Sequence, residues 1–171
     1  MCELRLAAYV IHVPELVRSV VAKTAAACCV VALVHALEAY LSLAASPFSD
    51  MFAAKALQII GKNLRPYVAN RKDPQAAEGM LMGSLFAGIA FSHARLGNVH
   101  AMSHPVSAFF DVAHGVANAI LLPAVVRYNA LSARGKYYDI YCCVANTPVE
   151  KERFDPGMLD AELFALNKEL G

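Results

Sequence analysis

Three times in this chain a side chain that can accept a hydrogen bond is followed directly by proline: Ser46-Pro47, Asp73-Pro74 and Asp155-Pro156. Each pair reads as a helix start. The first residue offers a side-chain oxygen to amides that lack an intrahelical partner. Proline has no N–H to lose at the first helical position, so it fits there. Beyond these starts apolar residues return at helical spacing, as Leu159, Leu163, Leu166 and Leu170 show. Strand signals are nearly absent: there is no clear alternating run and no Asn-Gly or Asp-Gly hairpin turn. The pattern predicts an all-α, multi-helix bundle with short connections. Helices are expected near 14–45 (with a break around Lys23), 48–66, 74–95, 99–110, 114–131, 134–145 and 156–170, within one domain spanning 1–171.

Composition narrows the function classes. Hydrophobic residues make up 58% of the 171 positions and charged residues 17%, so a membrane reading has to be weighed. The longest apolar run, Ala25 to Val34, is soon followed by His35 and Glu38. It falls short of the roughly 20 apolar residues that a spanning helix needs, which favours a buried helix and no membrane partner. The N-terminus has Glu3 ahead of Arg5 and no clear small-residue cleavage site, a poor signal peptide. A net charge of +1 leaves no electrostatic footprint for nucleic acid or acidic lipid. The five cysteines (Cys2, Cys28, Cys29, Cys142, Cys143) form no C-x-x-C motif, and their odd count argues for reduced thiols in a cytoplasmic protein. No G-x-G-x-x-G and no P-loop is present, so the chain shows no nucleotide-binding fingerprint of its own.

The chemistry concentrates in histidine. The stretch "VHAMSHPVSAFFDVAHG" holds His100, His104 and His114, half of the six histidines in the chain. His100 and His104 are four apart and share a helix face, a spacing that can hold a metal, although Pro105 bends the helix near His104. His114 lies where a loop enters a helix, and the positive end of that helix disfavours imidazolium, leaving the neutral form that ligates metal. His35 sits inside an otherwise apolar helix, where an unpaired ring is costly and needs a hydrogen bond or a metal. His35, His100 and His114 together could form a three-nitrogen site with open positions for substrate. Beside this stands the plainer reading that each is a hydrogen-bonded core residue. His12 and His93 have no partner pattern; His12 is expected at the surface and His93 near a helix end.

These residues carry a resemblance. "LGNVHAMSHPVSAFFDVAHGVANAILLPAVVRYN" resembles the signature of the iron-containing (group III) alcohol dehydrogenases, G-x-x-H-x-x-x-H-x-x-G-x-x-x-x-x-x-H-G followed by an apolar helix. "VVALVHALEAYLSLAASPFSD" is similar to the family's D-A-L-T-H-A-x-E-A-Y helix and the loop after it, and "PELV" and "ELFALNKELG" also look familiar. The resemblance implies the C-terminal helical metal-binding domain of a two-domain enzyme. The N-terminal α/β domain, which binds NAD(P) through a glycine-rich loop, is not matched, so the chain is expected to be truncated at both ends relative to the family. In that family one aspartate and three histidines hold iron; the histidines fall on His35, His100 and His114, while Val31 stands where the aspartate is expected. Cys29 and Val34 also depart from the family pattern, as do Ser107 and Ala113, the last two without touching a ligand. His104 matches a second active-site histidine, suited to proton relay or substrate orientation, and Phe91 matches an aromatic position near the substrate.

The implied activity is NAD(P)-linked interconversion of a small alcohol and its aldehyde, with Fe2+ polarising the oxygen. Valine in place of aspartate removes a ligand and a charge. Weaker affinity and less preference for iron are expected, with Zn2+ as an alternative. Glu38 is three residues after His35, but the family keeps a glutamate there alongside the aspartate, which argues against its serving as the substitute ligand. The implied partners are an alcohol or aldehyde, and a homodimer or a second chain carrying the dinucleotide domain. An alternative of a different class is a catalytically inactive remnant acting as a helical interaction domain.

Overall fold

A computed structural model describes residues 9–132 and 135–171 of the chain. The first eight residues, including Cys2 and the weighed signal-peptide features, lie outside the described residues, as do positions 133 and 134. Among the described residues every regular element is helical: α1 (Pro14–Val17), α2 (Ala22–Leu41), α3 (Pro47–Ala69), α4 (Pro74–Ala94), α5 (Asn98–Phe110), α6 (His114–Asn129), α7 (Lys136–Val144) and α8 (Pro156–Leu170). The all-α expectation holds. The long first helix expected over 14–45 is two helices, broken just before Lys23 and ending at Leu41.

The three proline starts behave as local chemistry requires. Ser46 accepts from the Ser49 amide while the Ser49 hydroxyl accepts from the Ser46 amide, a reciprocal capping box. Asp73 accepts from the amides of Gln75 and Ala76, and Asp155 from that of Gly157. Pro105 lies inside α5, yet the helix continues to Phe110, so His100 and His104 keep a common face. The αL conformation of Asp111 then ends α5, a backbone region that aspartate tolerates better than most residues.

Helix α2 is the centre of the bundle. It packs against α3, α4 and α6, while α8 closes over α6 and α7. By length and composition α2 could cross a membrane, but most of it is buried inside the bundle, as befits a core helix. Its Leu33, Val34 and Leu37 meet Leu57 and Ile60 of α3, Leu122 of α6, Ile140 of α7, and Leu159 and Leu163 of α8 in one apolar core. A second, smaller cluster of Ala39, Ala53, Ala90 and Ala94 lets α2, α3 and α4 approach closely next to the histidines. Leu159, Leu163 and Leu166 are buried as their spacing predicted. The four described cysteines are free thiols; burial pushes Cys29 up to about 12 and Cys143 to about 11, so neither is primed as a nucleophile.

Two glycines mark backbone-to-backbone contacts. A Cβ on Gly61 of α3 would lie 1.8 Å from the carbonyl oxygen of Cys143 in α7, and one on Gly115 of α6 would lie 2.5 Å from the carbonyl of Ala27 in α2. Neither carbonyl can step aside without moving its helix. Gly61→Ala is therefore expected to lower stability by about 1–3 kcal/mol despite the better helix propensity of alanine. Gly88→Ala in α4, where a Cβ meets nothing within 4 Å, should raise it by up to about 1 kcal/mol. Thermal unfolding of the two variants beside the parent checks both signs.

Candidate functional site

Four helices bring five rings together. α2 supplies His35, α4 Phe91, α5 His100 and His104, and α6 His114. His35 lies 4.5 Å from Phe91 and 4.6 Å from His100, centroid to centroid. His100 lies 5.7 Å from His104 and 5.3 Å from His114, and His104 is 5.1 Å from His114. The residues singled out from the sequence thus form one contiguous cluster across 80 positions of the chain. His93 is exposed at the last turn of α4, edge-on to Phe48, and half-buried His12 precedes α1, neither with a ring contact to the cluster.

The rings differ in their surroundings. His100 is only 2% exposed. Its Nδ1 is 2.7 Å from Glu38 Oε2, and the other oxygen of that carboxylate, Oε1, accepts from the Val99 amide at 2.6 Å. Both oxygens of Glu38 are thus engaged within the protein. The remaining nitrogen of His100, Nε2, is buried and has no hydrogen-bond partner. His114 opens α6, as the sequence indicated, and its Nε2 accepts from Asn118 Nδ2 at 3.1 Å one turn later. Sequence reasoning missed Asn118, although its i, i+4 spacing from His114 was a usable signal.

Burial holds His35 well below the usual imidazole range, at about 4; the neighbouring His100 pushes the same way, and Glu38 opposes. Burial also lowers His114, with His100 and His104 adding to the effect. The neutral state expected for His114 is thus favoured by burial and by the neighbouring imidazoles. Neutral imidazole is the ligating form.

The donor chemistry suits a divalent ion: imidazoles held toward the neutral form at His35 and His114, and an unpartnered buried nitrogen on His100. The ring orientations are not those of a closed site. His35 stacks on His100 with planes 14° apart, and His104 on His114 with planes 24° apart. A ring nitrogen's lone pair lies in the ring plane, so two parallel rings cannot both aim at one point. Accordingly, among the described residues no three His, Cys, Asp or Glu side chains are arranged to hold an ion between them. Val31, one turn before His35, is half-buried and offers no donor.

Comparison with known proteins bears on this arrangement. A family model described as "Fe-containing alcohol dehydrogenase family, C-terminal" matches residues 25–171. The chain is 50% identical over 109 residues to a 1,3-propanediol dehydrogenase of Klebsiella pneumoniae, which covers 64% of this chain and 28% of that protein. It is 45% identical over 142 residues to a lactaldehyde reductase of Escherichia coli K12, covering 82% of this chain and 36% of that protein. Among solved structures, an alcohol dehydrogenase from Oenococcus oeni superposes with a TM-score of 0.86 at 31% identity, over 92% of this chain and 42% of that one. A 1,3-propanediol oxidoreductase gives 0.81 at 39% identity, over 92% and 40%. The chain therefore spans well under half the length of these relatives.

The depressed His35 has a consequence for stability. Its folded-state value of about 4 lies below the ordinary 6.5, so the unfolded chain takes up a proton first as pH falls. The contribution of neutral His35 is complete above pH 6.5 and is lost on the way down to pH 4. The thermal midpoint of the metal-free chain is expected to fall across that window. His35→Phe, which keeps a ring between Phe91 and His100, should flatten the decline, as a pH series of melts would show.

Proposed function

The chain belongs to the Fe-containing alcohol dehydrogenase family, and on that premise we propose that it is the metal-binding helical part of an NAD(P)-dependent oxidoreductase acting on a small alcohol or aldehyde. The observation that carries the reading is the histidine cluster: His35, His100 and His114 come from three helices, the rings of His35 and His114 lie 4.6 and 5.3 Å from that of His100, and the buried His100 Nε2 lacks a partner. These three residues would hold a divalent cation, Fe2+ or Zn2+, once the stacked His35 and His100 rings turn so that their nitrogens face one point. Bound there, such an ion supplies Lewis-acid polarisation of an alcohol or aldehyde oxygen for hydride exchange with a nicotinamide.

The chain's own residues supply the rest. His35 and His114 are held toward the neutral form, so neither has to lose a proton before it ligates, and His114 Nε2 would exchange its hydrogen bond from Asn118 for the ion. His104 is exposed on the same face of α5 as His100, where it can exchange a proton between substrate and water. Phe91 packs against His35, 4.5 Å between ring centroids, and would offer an apolar wall to the carbon skeleton of a substrate. The hydride donor would be held by a dinucleotide-binding domain outside the residues seen here, in keeping with the absence of a glycine-rich fingerprint in this sequence.

Val31 sets the metal preference in this reading. Without a carboxylate the site is a set of neutral nitrogens. Such a set follows the general order in which Zn2+ binds more tightly than Fe2+. Val31 also favours a second reading, in which the domain has lost catalysis and persists as a helical interaction module. Aldehyde reduction assayed with NADH, metal and a complete family member carrying the dinucleotide domain separates the two, since the second reading predicts no contribution from this chain.

Calorimetric titration tests the metal reading. The parent chain should bind one ion, Zn2+ more tightly than Fe2+, and a His100→Ala/His114→Ala double variant of preserved helicity should give no binding heat. Val31→Asp should strengthen Fe2+ binding. Equal heats for parent and double variant would end the proposal.

A further inference from the structure

We propose that Glu38 is a positioning residue that selects the tautomer of His100, keeping the proton on Nδ1 and leaving Nε2 as the free, ligating nitrogen of the cluster. The consequence for metal affinity rests on the metal-binding reading above; the tautomer itself is a property of the metal-free chain.

The argument begins at the start of α5. Its N-cap residue, Gly97, has no side chain to cap the helix, and the first amides of any helix lack intrahelical acceptors. Glu38 reaches over from α2 to meet that need, its Oε1 accepting from the Val99 amide at 2.6 Å. A Cβ on residue 97 would lie 2.9 Å from that oxygen, so glycine there is what admits the carboxylate. With Oε1 committed, Oε2 is brought to 2.7 Å from His100 Nδ1. An ionised carboxylate can only accept, so Nδ1 must be the protonated nitrogen. In the neutral ring Nε2 then carries the lone pair.

Three observations agree with this assignment. Glu38 is 5% exposed and His100 2%, so water cannot take over either role. His100 Nε2 is buried and unpartnered, a state that costs free energy unless something other than a hydrogen bond engages it. The rings of His35 and His114 both neighbour that of His100, 4.6 and 5.3 Å away. A carboxylate behind a histidine is also how ligating imidazoles are usually oriented and made more basic.

Glu38→Gln separates positioning from mere structural support. The Val99 amide still demands an acceptor, so the glutamine carbonyl oxygen turns toward it and the side-chain NH2 faces His100 Nδ1. Nδ1 must then accept, and the proton moves to Nε2. The cap and the side-chain shape survive, but the ligating lone pair is gone.

Heteronuclear NMR of the histidine side chains in the full, metal-free chain at mildly alkaline pH reads this directly. In the parent, His100 should be protonated on Nδ1; in Glu38→Gln it should be protonated on Nε2. Zn2+ affinity should weaken about 10–100-fold in the variant. A parent His100 protonated on Nε2 would overturn the proposal even if the variant fails to fold. A folded variant with unchanged tautomer and unchanged zinc affinity would overturn it equally. A parent chain that binds no zinc would sink the metal-binding reading instead, and the tautomer comparison would still decide the role of Glu38.

Discussion

A carboxylate sealed inside an apolar bundle costs several kcal/mol unless its oxygens are engaged, and the arrangement at Glu38 follows from that constraint. Its two oxygens are satisfied by one backbone amide and one imidazole, both at the start of α5. The pair of bonds therefore fixes where α5 begins relative to α2. His35 lies one turn from Glu38 on α2, and His100 is the ring that Glu38 holds. A single buried group thus sets the distance between the first two histidines of the cluster. The absent side chain of Gly97 belongs to the same device, because the carboxylate occupies the space a Cβ would fill.

The rest of the bundle is built so that such a group can be reached. Alanines at 39, 53, 90 and 94 are fully buried and bring three helices close together beside the site. Larger residues such as Leu33, Leu57, Ile60 and Leu163 fill the core farther along. Charged side chains that cross between helices are kept to the rim. Arg65 of α3 donates to Glu162 and Glu169 of α8 and to the Val144 carbonyl of α7, and Lys136 joins Asp50 to the Tyr40 carbonyl. The high apolar content of the chain is thus the composition of a helix packed on several sides, with α2 serving both core and site.

The histidine cluster is electrostatically self-consistent. Burial disfavours the charged form of His35 and His114, and the neighbouring rings add to that effect at both. A set of neutral donors is what a cation requires. Val31 leaves that set without a carboxylate, so any charge brought by an ion would be balanced only from behind, through Glu38 and the imidazole of His100.

Helix starts were legible in the sequence because Ser46, Asp73 and Asp155 act within a single turn, and the prolines beside them restrict the chain locally. The stripe Leu159, Leu163 and Leu166 was legible for the same reason. The break before Lys23 was only partly readable, since the run through Val20, Val21 and Ala22 carries no cap signal. The chemistry-bearing histidines were legible from spacing and resemblance, and the structure gathers them. What the sequence alone could not decide is the part played by Glu38 and the stacking of the rings. The bonds of Glu38 span 61 and 62 positions, and the ring planes answer to four helices at once. Such geometry is decided by how helices pack, which no local pattern encodes.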